Sequence, residues 1–312
     1  MRKLCLLLTA GLVLSSGAAS HADQKAGRGD EKRRPQTRAN VAPDGDSHLL
    51  EIGHGTKIRS VIQTPADIKV VSYNIRWRAG EDLRKLAQLL KYDREIGGAS
   101  IMGLQEVDRH KARTRHQNTV KFLADELGMH YAWVAPPAVK SDKEEETGVA
   151  LLSFYPLRDV RRIVLPHEGP GLRRRVAVGA TITIGQTSVR IYSVHSETRM
   201  PIAKKMEQMK TALDDLAHYP KDMPAIVVGD LNTWEQEAMA KTYELFASRS
   251  FHTPFDDQPT LSRKFLFISV DLKLDWIWVR NLESREFGVD REIRLSDHWP
   301  LWLVVRMEKS KT

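Results

Sequence analysis

Short apolar runs that stop at polar residues recur along this chain from residue 68 onward. Residues 68–77 read Ile-Lys-Val-Val-Ser-Tyr-Asn-Ile-Arg-Trp, a β-rich run with Asn74 near its end, and residues 101–108 form a second run that delivers Glu106 to its end. A strand is predicted over 188–194, and residues 189–195 alternate apolar and polar positions and end at His195. The run over 225–228 stops at Gly229 and is followed by Asp230 and Asn232, which a two-residue period aims the same way if the strand direction persists. A strand over 272–279 carries Asp275 within it, and Asp297 and His298 stand just before a closing strand over 301–306. Further strands are predicted over 131–135, 148–153, 160–165 and 175–184.

Between these runs the apolar spacing changes from two to three or four. Leu83, Leu86, Ala87 and Leu90 predict a one-faced helix over 81–92. Residues 118–127 predict another, with Asn118 as N-cap and Gly128 as stop. A third starts at Pro201 and places Ile202, Met206, Met209, Leu213 and Leu216 on one stripe, its methionines as core. It returns the chain from the strand ending at His195 to the one ending at Asp230, a strand–helix–strand crossover. A shorter helix is predicted over 235–246, a solvated loop over 140–146 and a longer loop over 251–262.

Composition narrows the class without deciding it. A chain of 312 residues that is 41% hydrophobic and 28% charged is globular, which excludes a disordered protein. Residues 1–22 have a basic start (Arg2, Lys3), an apolar stretch and small residues toward Ser20 and Ala22, the layout of a cleavable secretory signal. That predicts an exported protein, periplasmic or secreted, with no integral membrane anchor. The single cysteine, Cys5, falls inside the signal, so no disulfide is expected. Residues 23–66 read as a flexible charged leader, either an electrostatic tail or a soluble linker, and 308–312 as a C-terminal tail. The net charge is +8, but about half of the excess precedes residue 67, so the body over 67–307 is only mildly basic.

The strand ends collect Asn74, Glu106, His195, Asp230, Asn232, Asp275, Asp297 and His298. Such an inventory suits phosphate-ester hydrolysis. A hard ion such as Mg²⁺ takes one or two protein carboxylates and keeps its waters, which fits Glu106 as main ligand. A histidine beside a carboxylate supplies a donor for charge developing on phosphorus.

The motifs Tyr73-Asn74-Ile75-Arg76, Leu104-Gln105-Glu106-Val107, Gly229-Asp230-Leu231-Asn232, Leu274-Asp275-Trp276 and Ser296-Asp297-His298-Trp299-Pro300 occur in one order over roughly 67–307. In that order the chain resembles the endonuclease/exonuclease/phosphatase superfamily, deoxyribonuclease I-like in Asn74-Ile75-Arg76. The segment 195–199 together with 296–299 is also similar to tyrosyl-DNA phosphodiesterase 2. The resemblance implies an α/β fold, a four-layer α/β sandwich of two packed mixed β-sheets flanked by helices. It also implies roles: Glu106 binding the metal (Mg²⁺, or Mn²⁺) with Asn74 and Asp297 close to it, Asp230 orienting or deprotonating the attacking water, and Asn232 holding the scissile phosphate. His298 would donate to a phosphoryl oxygen with its imidazole held by Asp275, and His195 would act near the leaving group. Arg76 departs from the apurinic endonucleases, which carry an acidic residue there.

The expected protein is a monomeric metal-dependent hydrolase of phosphate esters with nucleic acid as substrate. The alternatives are a phospholipid head group, a small phosphomonoester, or a catalytically silent binding module. Arg173, Arg174 and Arg175 read equally as a polyphosphate contact or as charge flanking a strand. Trp276, Trp278, Trp299 and Trp302 read mostly as core, with a stacking platform for bases as the alternative.

Overall fold

The computed structural model describes residues 44–58, 65–137, 146–265 and 268–307. The expected signal at 1–22, the first part of the leader, most of the loop expected at 140–146 and the tail at 308–312 lie outside the described residues. The strands are β1 (Leu50–His54), β2 (Asp67–Asn74), β3 (Ile101–Arg109), β4 (His130–Val134), β5 (Glu146–Ser153), β6 (Arg158–Val164), β7 (Val176–Ile184) and β8 (Thr187–His195). They continue as β9 (Ala225–Asp230), β10 (Leu261–Phe265), β11 (Ile268–Leu272), β12 (Asp275–Arg280), β13 (Glu283–Val289) and β14 (Leu301–Arg306). The helices are α1 (Gly80–Tyr92), α2 (Thr119–Leu127), α3 (Ile202–Asp214) and α4 (Gln236–Ala247).

Two mixed sheets pack face to face. One has seven strands in the order β1-β4-β5-β3-β2-β14-β13, the other five in the order β12-β9-β8-β7-β6. Their inner faces share one apolar core in which Val70, Ile101 and Leu303 meet Val178, Ile191 and Val228. Outside the first sheet, α1 buries Leu83, Leu86 and Leu90 with Leu123 and Leu127 of α2. Outside the second, Met209 and Leu213 of α3 and Phe246 of α4 cover Trp276 and Trp278, whose rings stack at 5.1 Å. The four-layer α/β sandwich expected from the resemblance is therefore the fold. Asn118 caps α2 by accepting from Lys121 N–H at 3.1 Å, a contact worth about 1 kcal/mol, and Gly128 closes the helix at φ +68°.

Three local features differ from the sequence reading. The leader expected over 23–66 is not all leader: β1 pairs with β4, and its Glu51 accepts from Tyr131 (2.6 Å), Arg109 (2.8 Å) and Asn118 (2.9 Å). The strand expected over 272–279 is divided, because β11 belongs to a β10–β11 hairpin and β12 starts only at Asp275. β13 has no counterpart in the reading. It is a half-exposed edge strand with Glu283, Arg285 and Glu286 on it, so it lacks the apolar signal of a buried one.

Candidate active site

Topology brings the expected residues to one end of the sandwich. β2 and β3 run parallel, as do β8 and β9, so Asn74, His195 and Asp230 emerge at strand C-terminal ends, while Glu106, expected at a strand end, sits at a bulge inside β3, which continues to Arg109. β12 is antiparallel to β9 in a register that sets Asp275 opposite Asp230. β14 is antiparallel to β2, so the residues just before it, Asp297 and His298, stand beside Asn74's end of β2. Glu106, His195, Asp230, Asn232, Asp297 and His298 line one cavity of about 290 Å³.

Unusual backbone shapes this end. Glu106 sits at a bulge in the β3–β5 ladder with φ +55°, which turns its side chain out of the strand's alternation at a strain of about 1–3 kcal/mol. Arg76 and Trp77 follow Asn74 with φ +48° each and are held there by Arg76 N–H to Asn74 Oδ1 (3.1 Å) and Trp77 N–H to Glu106 O (3.0 Å). Gly229 has no substitute. A Cβ there would stand 2.0 Å from the Val194 carbonyl oxygen, so only glycine lets β9 lie against β8 just before Asp230.

At the centre, Asp230 Oδ2 accepts from Asn74 Nδ2 at 3.0 Å and lies 3.6 Å from His195 Nε2 and 3.7 Å from His298 Nε2. Asn74 Nδ2 also reaches Glu106 Oε1 at 3.3 Å, so this amide joins two carboxylates while its oxygen accepts from Arg76. His298 Nδ1 meets Asp275 Oδ2 at 2.8 Å, and the same oxygen accepts from Thr260 Oγ1 at 2.7 Å. Asn232, at φ +53°, donates its backbone N–H to Asp230 Oδ1 (3.1 Å) and its amide to Ser196 O (3.0 Å). Asp297 lies at the rim, paired with Arg76 at 3.1 Å and Arg263 at 3.6 Å.

Burial sets the charges. Burial raises the Asp230 pKa to about 7, with Asp275 and Glu106 adding repulsion against His298 and Asn74. Burial opposes a charge on His298, but Asp275 and Asp230 outweigh it and hold its pKa at about 10. Burial, then the cations of Arg175 and His298, push His195 well below the ordinary histidine range, so it is neutral at pH 7.

A hard divalent ion fits this donor set. Glu106 and Asp297 present carboxylate oxygens to the cavity, and the mutual repulsion of the carboxylates around Asp230 is what a cation relieves. Asp230, Asp275 and His298 also bring one ligand atom each within 4.8 Å of one another. Asp275 Oδ2 is already committed to His298 and Thr260, however, so this triangle is an oriented histidine next to a carboxylate.

Several contributors escaped the sequence reading. Thr260 is fully buried and also accepts from the Leu274 and Asp275 N–H groups at 3.0 Å, so it fixes the start of β12, yet no local pattern marks it. Lys205 of α3 is fully buried and donates to Asn232 O at 2.5 Å. Its signal was available, since a lysine three residues after Ile202 and four before Met209 lies on the helix's apolar stripe. Of the tryptophans, Trp276 and Trp278 are core and Trp302 donates to Glu95 at 2.9 Å, while the one most open to solvent near the cavity is Trp234.

The fold is similar to several solved structures. An endonuclease/exonuclease/phosphatase from Beutenbergia cavernae aligns at 18% identity over 78% of this chain and 72% of its own, with a TM-score of 0.61. D. rerio TDP2 complexed with single strand DNA product aligns at 13% identity over 78% of this chain and 100% of its own, with a TM-score of 0.61. The human Nocturnin catalytic domain with bound sulfate anion aligns at 20% identity over 78% and 96%, with a TM-score of 0.58. No curated protein matches the sequence. The profile of the Endonuclease/Exonuclease/phosphatase family matches residues 71–298, and the chain belongs to that family, which includes phosphoesterases and nucleases.

Proposed function

We propose that the protein is an exported, divalent-metal-dependent phosphoesterase that hydrolyses phosphodiester bonds in nucleic acid. The observation that carries this reading is a single cavity in which the oriented His298–Asp275 pair, buried Asp230 and the Glu106 carboxylate face Arg76, Arg175 and Arg263. Anionic substrate is drawn by the arginines and met by groups able to move or donate protons. TDP2, solved with a single strand DNA product, and Nocturnin, solved with a sulfate anion, give the nucleic-acid and anion readings their support among similar folds. Export rests on the signal-like pattern of residues 1–22.

Glu106 and Asp297, with Asn74 beside them, would hold Mg²⁺ or Mn²⁺, which when bound neutralises charge on phosphoryl oxygens. His298, cationic at neutral pH because its pKa is held at about 10, donates from Nε2 to a phosphoryl oxygen, while Asp275 fixes the ring through Nδ1. Asp230, raised to about 7, orients a water and takes its proton near neutrality. Asn232 keeps one amide hydrogen for the scissile phosphate after its bond to Ser196 O. His195 stands neutral beside the leaving group.

The test is nicking of supercoiled plasmid by the purified protein with Mg²⁺, against EDTA and a His298→Ala control. Nicking that requires both metal and His298 is expected. Absence of nicking by folded protein removes the nuclease reading, and phospholipid and phosphomonoester substrates are then assayed with the same control.

A further inference from the structure

Helix α3 joins β8 to β9, and two of its buried polar side chains reach the loops that follow those strands. Gln208 accepts from the Glu197 N–H at 2.9 Å and donates to the Pro166 carbonyl at 2.9 Å. Lys205, about one turn earlier, is closed to solvent and donates to the Asn232 carbonyl at 2.5 Å. Burying an ammonium is costly, and the apolar stripe around it, with Met206 and Met209, would accept a methionine instead. Its carboxylate neighbour does not account for the placement. Glu235 Oε2 stands 3.8 Å away, beyond hydrogen-bond distance, and is itself buried without a hydrogen-bond partner. The short contact is the one to Asn232.

Asn232 needs holding. Its φ of +53° lies in the left-handed region, where a residue with a side chain is strained and persists only if its surroundings fix it. The carbonyls of this turn are each tied down: Asp230 O accepts from the Ser196 N–H at 3.0 Å, Leu231 O from Ser196 Oγ at 2.5 Å and Asn232 O from Lys205. With the backbone fixed in this way, the Asn232 amide gives one hydrogen to Ser196 O and keeps the other for the cavity it lines. A turn that relaxed to an unstrained φ would carry the amide away from that place. We propose that Lys205 is a positioning residue for phosphate-ester hydrolysis: its ammonium holds the Asn232 carbonyl, and with it the left-handed turn that presents the Asn232 amide to the scissile phosphate. The proposal rests on the phosphoesterase reading above. A cation near Asp230 has a second route to the chemistry, direct attraction on that carboxylate, since Asp230 is among the groups that favour the charged form of Lys205. Removing Asn232 tells the two routes apart.

The test is a double-mutant cycle on the full chain: the parent, Lys205→Met, Asn232→Ala and the two combined, with kcat/KM for bis(p-nitrophenyl) phosphate measured per folded molecule. Lys205→Met is expected to lower kcat/KM about ten-fold in the parent. In the Asn232→Ala background it is expected to lower it by less than about two-fold, because the amide that Lys205 positions is already gone. The full loss repeated in the Asn232→Ala background overturns the proposal, since the cation then acts on Asp230 or through packing. Unchanged kcat/KM in Lys205→Met overturns it as well, and both of these outcomes leave the phosphoesterase reading standing. Where Lys205→Met does not fold, Lys205→Gln takes its place in the cycle, since its amide keeps a polar group in the site but is one bond too short to reach Asn232 O. If the parent hydrolyses no phosphate ester with Mg²⁺ or Mn²⁺, the phosphoesterase reading fails, and the NMR shifts of Asn232 Cα and Cβ decide whether Lys205 holds the turn. Left-handed shifts that are lost in the Lys205 variant support the hold, and shifts that are kept overturn it.

Discussion

The parallel strands β8 and β9 carry a buried polar network at each end, and the two are built on opposite principles. Toward their starts, Arg190, fully buried, donates to Asp215 (2.8 Å), to the Asp159 carbonyl (2.7 Å) and to Tyr192 OH (3.2 Å), and Tyr192 OH donates to the same Asp215 oxygen at 2.8 Å. Opposite charges meet there, and the guanidinium has a partner on each side. Toward their ends, Asp230 stands near Asp275 and Glu106, and its pKa is pushed up to about 7. Asp275 Oδ1 is buried with no hydrogen-bond partner. The first arrangement holds the sheet together. The second carries uncompensated polar groups that a substrate or cation can use, at a cost to stability.

The contrast breaks most visibly at His298. Replacing it with alanine is expected to lower kcat per folded molecule by about 10²–10⁴-fold, measured on bis(p-nitrophenyl) phosphate, and also to lower the melting temperature, because buried Asp275 loses its cationic partner. Arg190→Met should touch stability alone. It takes the buried cation from Asp215 and leaves only the half-exposed Arg161 at 3.3 Å, at a cost of up to about 3–5 kcal/mol in urea unfolding, while kcat per folded molecule stays near the parent value.

A pH series sharpens the comparison. Asp230 has a folded pKa near 7 against about 3.9 in an unfolded chain, so its protonated form adds stability below pH 4 that is lost as pH rises through 7. The melting temperature of the EDTA-treated protein should therefore fall from pH 4 to 7 relative to Asp230→Asn. Parallel curves for the two proteins would mean that Asp230 is not the group responsible. Thr260→Val is the mildest of these changes. It removes the bond to the Asp275 carboxylate together with those accepted from the Leu274 and Asp275 N–H groups, and is expected to lower kcat about ten-fold, with KM for the model ester little changed.

Much of the architecture was legible along the chain because strands and helices announce themselves locally. Asn118 and Gly128 marked the ends of α2, the stripe from Ile202 marked α3, and the runs carrying Asn74, Glu106, His195 and Asp230 marked the strands of the site, though β3 runs on past Glu106 to Arg109. β1 and β13 were not legible, since a short edge strand with charged positions lacks the alternation of a buried one. Thr260 was hidden for another reason. Its importance comes from the hairpin that follows it and from contact with Asp275, fifteen residues away.

What the sequence determined by itself was which residues stand at strand ends and which chemistry they could serve. Only the tertiary structure decided that Asp275 faces Asp230 across the β9–β12 ladder, that Lys205 reaches the back of Asn232, and that arginines from three loops line one cavity. Local spacing is written in neighbouring side chains, whereas strand register and loop convergence depend on pairings between distant segments, and a shift of one residue in the β9–β12 ladder would turn Asp275 to the other face.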